Sequence, residues 1–419
     1  MTDTLQTAPG ALRTADGRPL KSALALAQRR ARRRAFLLVA PLLVFILVTF
    51  VVPIGQMLFR SVHHDGFSAN MPQLSAWFAA HPRGTDPDEA AYAALAADLK
   101  QARQDKTAGE IGTRVNYDLS GTRSLFTSTA RGADRLAPPY REALLADNAL
   151  WGDAKVWEAM RGASSSLTPN FYLSALDLQR GPDGSIERAP PENRVYLMLF
   201  ERTFLLSAII MALTLVLGYP VAHLLAVLPL RTSNLLMILV LLPFWTSLLV
   251  RTTSWIVLLQ GQGVVNNVLV STGLLTEETR LQMIYNQAGT IIAMTHILLP
   301  FMILPLYSVM RPIPPAYVRA ARSLGASSWC AFRRVYFPQT IPGIAAGALL
   351  VFILAVGYYI TPALVGGASG QLISNLIAFH MAKSNWSLAA AIAALLLAAV
   401  LVLYWLYDRL IGIDNMKLG

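Results

Sequence analysis

Cysteine is nearly absent. The 419-residue chain holds one, Cys330, so no disulfide can form within it. No paired-cysteine motif and no H-E-x-x-H is present to hold zinc. His63 and His64 stand side by side before Asp65, and adjacent residues do not share a helix face, so this stretch reads as a solvated loop rather than a metal site. G-x-x-x-x-G-K-S/T is missing, so the chain has no phosphate-cradling loop. A nucleophile-elbow G-x-S-x-G is missing too. These gaps leave no catalytic residue, no metal ligand set and no cofactor bound by the chain to nominate. Charge is scarce as well: 14% of residues are charged, against about 25% in ordinary soluble domains.

What fills the space is apolar. Hydrophobic residues make up 54% of the chain and the mean hydropathy is +0.47. A window of about 20 apolar residues spans a bilayer. Six such windows occur: 35–58, 203–227, 235–259, 288–310, 341–365 and 386–407. The first is too long for a signal peptide, and its basic run comes only after a polar stretch. The fold class is therefore an all-α polytopic membrane protein with six transmembrane helices.

The formal charge of +11 is explained by where the arginines lie. Eight Lys+Arg fall in the first 34 residues, including Arg29, Arg30, Arg32, Arg33 and Arg34. Five more, Arg311, Arg319, Arg322, Arg333 and Arg334, separate the fourth and fifth windows. The alternate loops carry only Arg280 and Lys383. Under the positive-inside rule both termini and the 311–338 segment are expected in the cytosol. The basic run then marks topology and membrane lipid contact rather than a nucleic-acid surface.

The expected layout is a cytosolic basic tail (1–34), a first span (35–58), a non-cytosolic insertion (59–195), a five-span domain (196–407) and a cytosolic tail (408–419). Residues 61–195 carry 14 Lys+Arg and 17 Asp+Glu and no cysteine. A helix is expected over 87–104, capped by Asp86 or Thr85, and one or two short helices over 140–162 carrying Trp151 and Trp157. GPDG at Gly181–Gly184 reads as a turn.

Between the fourth and fifth windows lies RAARSLGASSWCAFRRVYFP, Arg319–Pro338. The prolines of RPIPP, Arg311–Pro315, end the fourth span. AYVRAARSL makes a short helix and Gly325 suits the left-handed position that terminates it. Ser327 or Ser328 caps the next helix, which Pro338 is expected to stop. The segment is a helix–Gly–helix elbow.

This elbow resembles the signature loop of binding-protein-dependent ABC importer permeases. That loop reads Glu-Ala-Ala, three residues, Gly, nine residues, then Ile-x-Leu-Pro. Here Ala320 and Ala321 are followed at that spacing by Gly325, Val335, Phe337 and Pro338, with Arg319 in place of the glutamate. PFWTSLLVRTTSWIVLLQGQGVVNN (Pro243–Asn267), HILLPFMILPLYSVM, GYYITPALVGG (Gly357–Gly367) and NWSLAAAIA (Asn385–Ala393) are similar to the spermidine/putrescine branch.

The resemblance implies the type I ABC importer permease fold, with the insertion periplasmic, in a bacterial inner membrane. It implies half of a translocation path for a small solute such as a polyamine, completed by a second permease subunit. A cytosolic ABC ATPase dimer holding ATP and Mg would be driven against a coupling loop of Arg319, Ala320, Ala321, Gly325, Val335 and Pro338. A periplasmic solute-binding protein would deliver the cargo. Trp245, Arg251, Trp255, Tyr358, Tyr359 and Trp386 are candidates for the path, the aromatics through cation–π contacts. Pro220, Pro243, Pro300, Pro305 and Pro362 are expected to break or kink their spans.

Other readings stay open from residues alone. Arg251 within the third window suits an anion, and ferric iron or an amino-acid derivative are further cargoes. A stand-alone secondary transporter would need intramembrane ionisable groups, which are scarce, and a membrane sensor would need an output domain.

Overall fold

The computed structural model describes residues 20–181 and 185–411. The outer parts of both expected tails, 1–19 and 412–419, and most of the Gly181–Gly184 turn lie outside the described residues.

The first apolar run forms α1 (Leu20–Ile46), a π-helical turn (Leu47–Val51) and α2 (Val52–Arg60). The π turn stands just ahead of Pro53. Proline offers no N–H to the carbonyl four residues back, and a π turn re-routes the bonding by one residue. Thr49 Oγ1 donates to the Phe45 carbonyl at 2.7 Å inside this stretch. Residues up to Phe59 form one compact unit, and those from Arg60 onward form another.

Residues 61–195 fold around a core of their own. The helices are α3 (Pro72–Ala80), α4 (Glu89–Gln104), α5 (Ala108–Asn116), α6 (Thr122–Gly132), α7 (Tyr140–Asp147), α8 (Ala154–Ser164) and α9 (Asn170–Ala175). They turn Leu74, Tyr92, Leu95, Leu99, Phe126 and Met160 inward, all buried with Trp151. Trp151 sits on a 3-10 turn between α7 and α8, edge-on to Phe126 at 5.1 Å. Its Nε1–H donates to Thr129 Oγ1 at 3.1 Å, and the Trp157 Nε1–H donates to the Trp151 carbonyl at 2.7 Å. Both indoles thus bury their area with their donors paired.

The helix expected over 87–104 starts at Glu89, and Asp88, not Asp86 or Thr85, caps it by accepting from the Ala91 N–H at 2.9 Å. Buried Ala91, Tyr92 and Leu95 fix where the first turn must begin, and Pro87 holds Asp86 in extended backbone. A hairpin of β1 (Leu178–Arg180) and β2 (Ile186–Arg188), too short to show in the pattern, closes the insertion.

Beyond it the helices are α10 (Tyr196–Val227), α11 (Leu230–Leu241), α12 (Leu248–Leu259), α13 (Val264–Ser271), α14 (Gln287–Met310), α15 (Pro315–Ser323), α16 (Ser328–Ala331), α17 (Phe337–Gly357), α18 (Ile360–Val365), α19 (Ile373–Ala382) and α20 (Trp386–Ile411). Among the described residues, five helical stretches are long and apolar enough to cross a membrane: Gln28–Arg60, Pro191–Val227, Gln287–Met310, Ser328–Gly357 and Trp386–Arg409. The expected span over 235–259 is not one helix. It is a broken pair, Leu230–Trp245 and Leu248–Ser271, bent by 97°. Pro243 sits on the 3-10 turn at this break, where it removes a ladder donor.

The fifth span also ends early. Its helix stops at Gly357, and Tyr358 is extended, so α18 is a separate short piece rather than the top of the span. Pro362 lies in the first turn of α18, where proline is tolerated. Pro220, Pro300 and Pro305 stand inside α10 and α14 without ending them.

α10, α14 and α17 pack together around buried Leu206, Ile210, Met294, Leu298, Met302, Ile303 and Val351. A Cβ on Gly343 would lie 3.1 Å from the Pro305 carbonyl oxygen and one on Gly347 3.2 Å from that of Met302, so missing side chains let α17 approach α14 closely. The insertion is seated on the same bundle: Phe171 of α9 shares an apolar cluster with Leu199, Ile373, Leu388 and Ile392. Asp177, buried and with φ of 56°, caps α10 by accepting from the N–H groups of Val195, Tyr196 and Leu197 at 3.1, 3.0 and 2.9 Å.

His64 sits against Phe171 and Tyr117 and accepts the Gly66 N–H on Nδ1. Burial, then the nearby Arg114 charge, hold it well below the ordinary histidine value, at about 4, with Asp65 opposing weakly. The unfolded chain protonates this imidazole near pH 6.5 and the folded one only near 4, so its stabilising contribution is present above pH 6.5 and is lost as pH falls towards 4. Amide exchange of peptides from 61–195 should therefore rise between pH 7 and 4.5 more steeply in the wild type than in His64→Asn, after correction for intrinsic rates. Equal slopes would contradict the assignment.

Candidate functional site

The elbow is built as its sequence suggests up to its last residue. α15 starts on Pro315, a first-turn position where the missing N–H costs nothing. It ends in a paired terminator: the Ala326 N–H donates to the Ala321 carbonyl at 3.1 Å and the Gly325 N–H to the Arg322 carbonyl at 3.0 Å. Gly325 has φ of 91° with open space around it. Ser327, extended, caps α16 by accepting the Cys330 N–H at 3.2 Å. Pro338 does not stop this second helix. A π turn at Phe332–Tyr336 precedes it, and the helix runs on as α17. The π turn absorbs the missing proline donor, as it does before Pro53, and the Gln339 side-chain amide donates to the Val335 carbonyl at 2.6 Å.

Aromatic rings fasten the second half of the elbow to α10. Phe332 meets Tyr219 edge-on at 6.3 Å and His223 at 6.1 Å, and Tyr336 meets His223 at 5.0 Å. Tyr219 Oη and Thr340 Oγ1 are 3.2 Å apart. Arg311, at the root of the elbow, donates Nη1 to the carbonyls of Ala226 and Leu228 at 2.7 and 3.0 Å. These are terminal carbonyls of α10 that the helix itself leaves unbonded. The first half is different. Arg319, Ala320 and Arg322 are exposed and Ala321 is half-buried, while Leu324 is 90% exposed.

Of the six path candidates, three come together. Arg251, in the first turn of α12, lies within electrostatic reach of His296 on α14 and of Tyr358. Trp255 donates Nε1–H to His296 Nδ1 at 3.2 Å, the rings 5.3 Å apart. Arg251 Nε is buried with no hydrogen-bond partner among the described residues. The other three stand apart from this group in what they touch. Trp245 lies on the break between α11 and α12 and is 77% exposed, Tyr359 follows α17, and exposed Trp386 opens α20. Reasoning from sequence missed His296, although an ionisable residue inside an apolar window is the signal that finds it. It also missed His223 and Arg311.

Residues 203–411 match the family of binding-protein-dependent transport system inner membrane components. The chain is 35% identical over 226 residues to the spermidine/putrescine transport system permease protein PotB of Haemophilus influenzae, covering 54% of this chain and 78% of that one. It is 37% identical over 202 residues to PotB of Escherichia coli, covering 47% and 73%. A crystal structure of a bacterial ABC transporter that imports the acidic polysaccharide alginate aligns over 53% of this chain and 80% of that one, with a TM-score of 0.43 and 20% identity. A multi-pass inner-membrane transport subunit is thus the class that helices, elbow and relatives define. The chain belongs to the binding-protein-dependent family and is a permease subunit of an ABC importer.

Gly325→Ala isolates the backbone requirement of the elbow, because no atom obstructs a methyl group there. A left-handed L-residue costs about 1–2 kcal/mol. The amides of Gly325 and Ala326 should then exchange roughly tenfold faster, tenfold being about 1.4 kcal/mol. Unchanged exchange would mean that the terminator does not hold α15.

Proposed function

We propose that this permease carries a polyamine, putrescine or spermidine, inward across the membrane. The observation that carries the substrate class is the 35–37% identity to spermidine/putrescine permeases. It pairs with a second permease subunit, since this family's spans make half a path. Two ATPase subunits, holding ATP and Mg, sit on the cytosolic side with both termini. A loaded periplasmic binding protein docks outside, partly on residues 61–195. The chain breaks no bond of its cargo.

The coupling loop does the mechanical work. The first half of the elbow, with Arg319, Ala320, Ala321 and Gly325, seats in the ATPase, and the second half, through Val335 and the π turn before Pro338, hands the motion to α17. Ring contacts and Arg311 hand it to α10. Because α10, α14 and α17 share one core, they tilt together and the path opens to the other side.

Along that path, Trp255 and Tyr358 present ring faces to an amine, and Trp245, Tyr359 and Trp386 line the approach. Few carboxylates are needed if the binding protein does the selecting. One observation favours a second reading. Arg251 keeps an unpartnered Nε beside His296, and such a pair suits an anionic cargo.

Uptake of radiolabelled putrescine by cells with and without this chain separates the two. The polyamine reading expects uptake to vanish with the chain, to return with the wild type, and to resist excess sulfate. Arg251→Ala should leave it near normal. Putrescine uptake unaffected by loss of the chain would overturn the substrate class.

A further inference from the structure

The elbow carries an unusual charge. Residues 311–338 hold five arginines and no Asp or Glu. Arg319, Arg322, Arg333 and Arg334 are all exposed. None has an ion-pair or hydrogen-bond partner within the described residues, whereas Arg311 is committed to the carbonyls of α10. Arg319 and Arg322 lie three apart on α15, one turn on the same face. Both side chains are exposed, although Val318 beside them packs on the chain's own core.

Resting on the docking reading above, we infer that the ATPase groove receiving α15 is acidic, with carboxylates facing Arg319 and Arg322. A groove built for the family's glutamate at position 319 would set like or mismatched charges against this elbow, and like charges across an interface cost several kcal/mol. An acidic groove instead gains two planar guanidinium forks, each able to hold a carboxylate through two parallel N–H bonds. The inversion makes this permease selective for its own ATPase: an ATPase that serves a glutamate-bearing permease is repelled.

A lipid headgroup is the other anionic partner within reach. A helix that lies on a membrane needs a broad apolar face to dip into the acyl region. Val318 of α15 is spent on the chain's own bundle, and Tyr317 is its one large apolar side chain left exposed, beside Ala316, Arg319, Ala320, Arg322 and Ser323. One exposed ring is too narrow an apolar face for acyl chains, and the small, cationic remainder fits a protein cleft.

The test uses the full tagged chain, extracted in mild detergent from its native membrane, with the co-purified ATPase counted by mass spectrometry across NaCl concentrations. An acidic groove expects retention to fall with salt, since exposed pairs are screened within about 8 Å at physiological ionic strength. Arg319→Glu and the double variant Arg319→Glu/Arg322→Glu should lose the ATPase at low salt, and Arg319→Lys should keep most of it. Equal or greater ATPase retention in Arg319→Glu would overturn the inversion. So would loss of bound phosphatidylglycerol in that variant with ATPase retention unchanged. Gly325→Pro, which destroys the elbow without touching these charges, separates the two levels. If it retains the ATPase, the docking reading itself fails; if it alone releases the ATPase, only the inference about charge fails.

Discussion

The joint between the elbow and α10 is the contact on which the rest of the structure depends. Phe332 and Tyr336 reach it from one side, Tyr219 and His223 from the other. Arg311 adds charge-assisted hydrogen bonds to carbonyls that lipid cannot satisfy. Rings packed edge to face define a geometry more sharply than aliphatic side chains do. An exposed, charged helix lies on one end of this joint and a buried three-helix core on the other. On the proposed coupling they are handle and load, and without the joint pressure on α15 would swing the elbow about Gly325 and leave the bundle where it was.

The same demand for paired backbone groups shapes two of the proline sites in the long helices. Before Pro53 and before Pro338 the chain inserts a π turn and continues. At Pro243 it does not: the helix breaks and turns by 97°, next to the residues that gather round His296. Irregular backbone at membrane depth is tolerated only where protein buries it or it lines a cavity. The insertion meets the bundle through another strictly paired contact, the N–H groups of Val195, Tyr196 and Leu197 at the start of α10 received by Asp177. α10 is thereby held at both of its ends, to the elbow through Ala226 and Leu228 and to the insertion through Asp177.

Much of this was legible before any coordinates. Apolar windows mark membrane helices because length and hydropathy suffice to define them, and Gly325 with Ser327 announces a helix end and a helix start through local geometry alone. What the sequence conceals depends on distance. A window average cannot see the bend at Trp245, since both arms are equally apolar. The partner of Trp255 is 41 residues away on another helix. Asp88 wins the α4 cap over two neighbours because buried Ala91 and Tyr92 set the register, a tertiary fact. Pro338 looked like a stop because proline usually is one; the π turn that rescues it has no pattern of its own.

The measurement that bears most directly on the joint is a cross-link across it. Tyr219→Cys and Phe332→Cys, in a chain whose native Cys330 is serine, can be bridged by a short cleavable thiol reagent. ATP-driven putrescine uptake by the reconstituted complex is then compared with the same double variant left unbridged. A joint that moves as one body predicts uptake in the bridged chain equal to or above that of the unbridged one, since the bridge replaces the lost ring contact. Uptake abolished by the bridge and restored on cleaving it would show that the elbow must slide over α10, and would contradict a rigid handle.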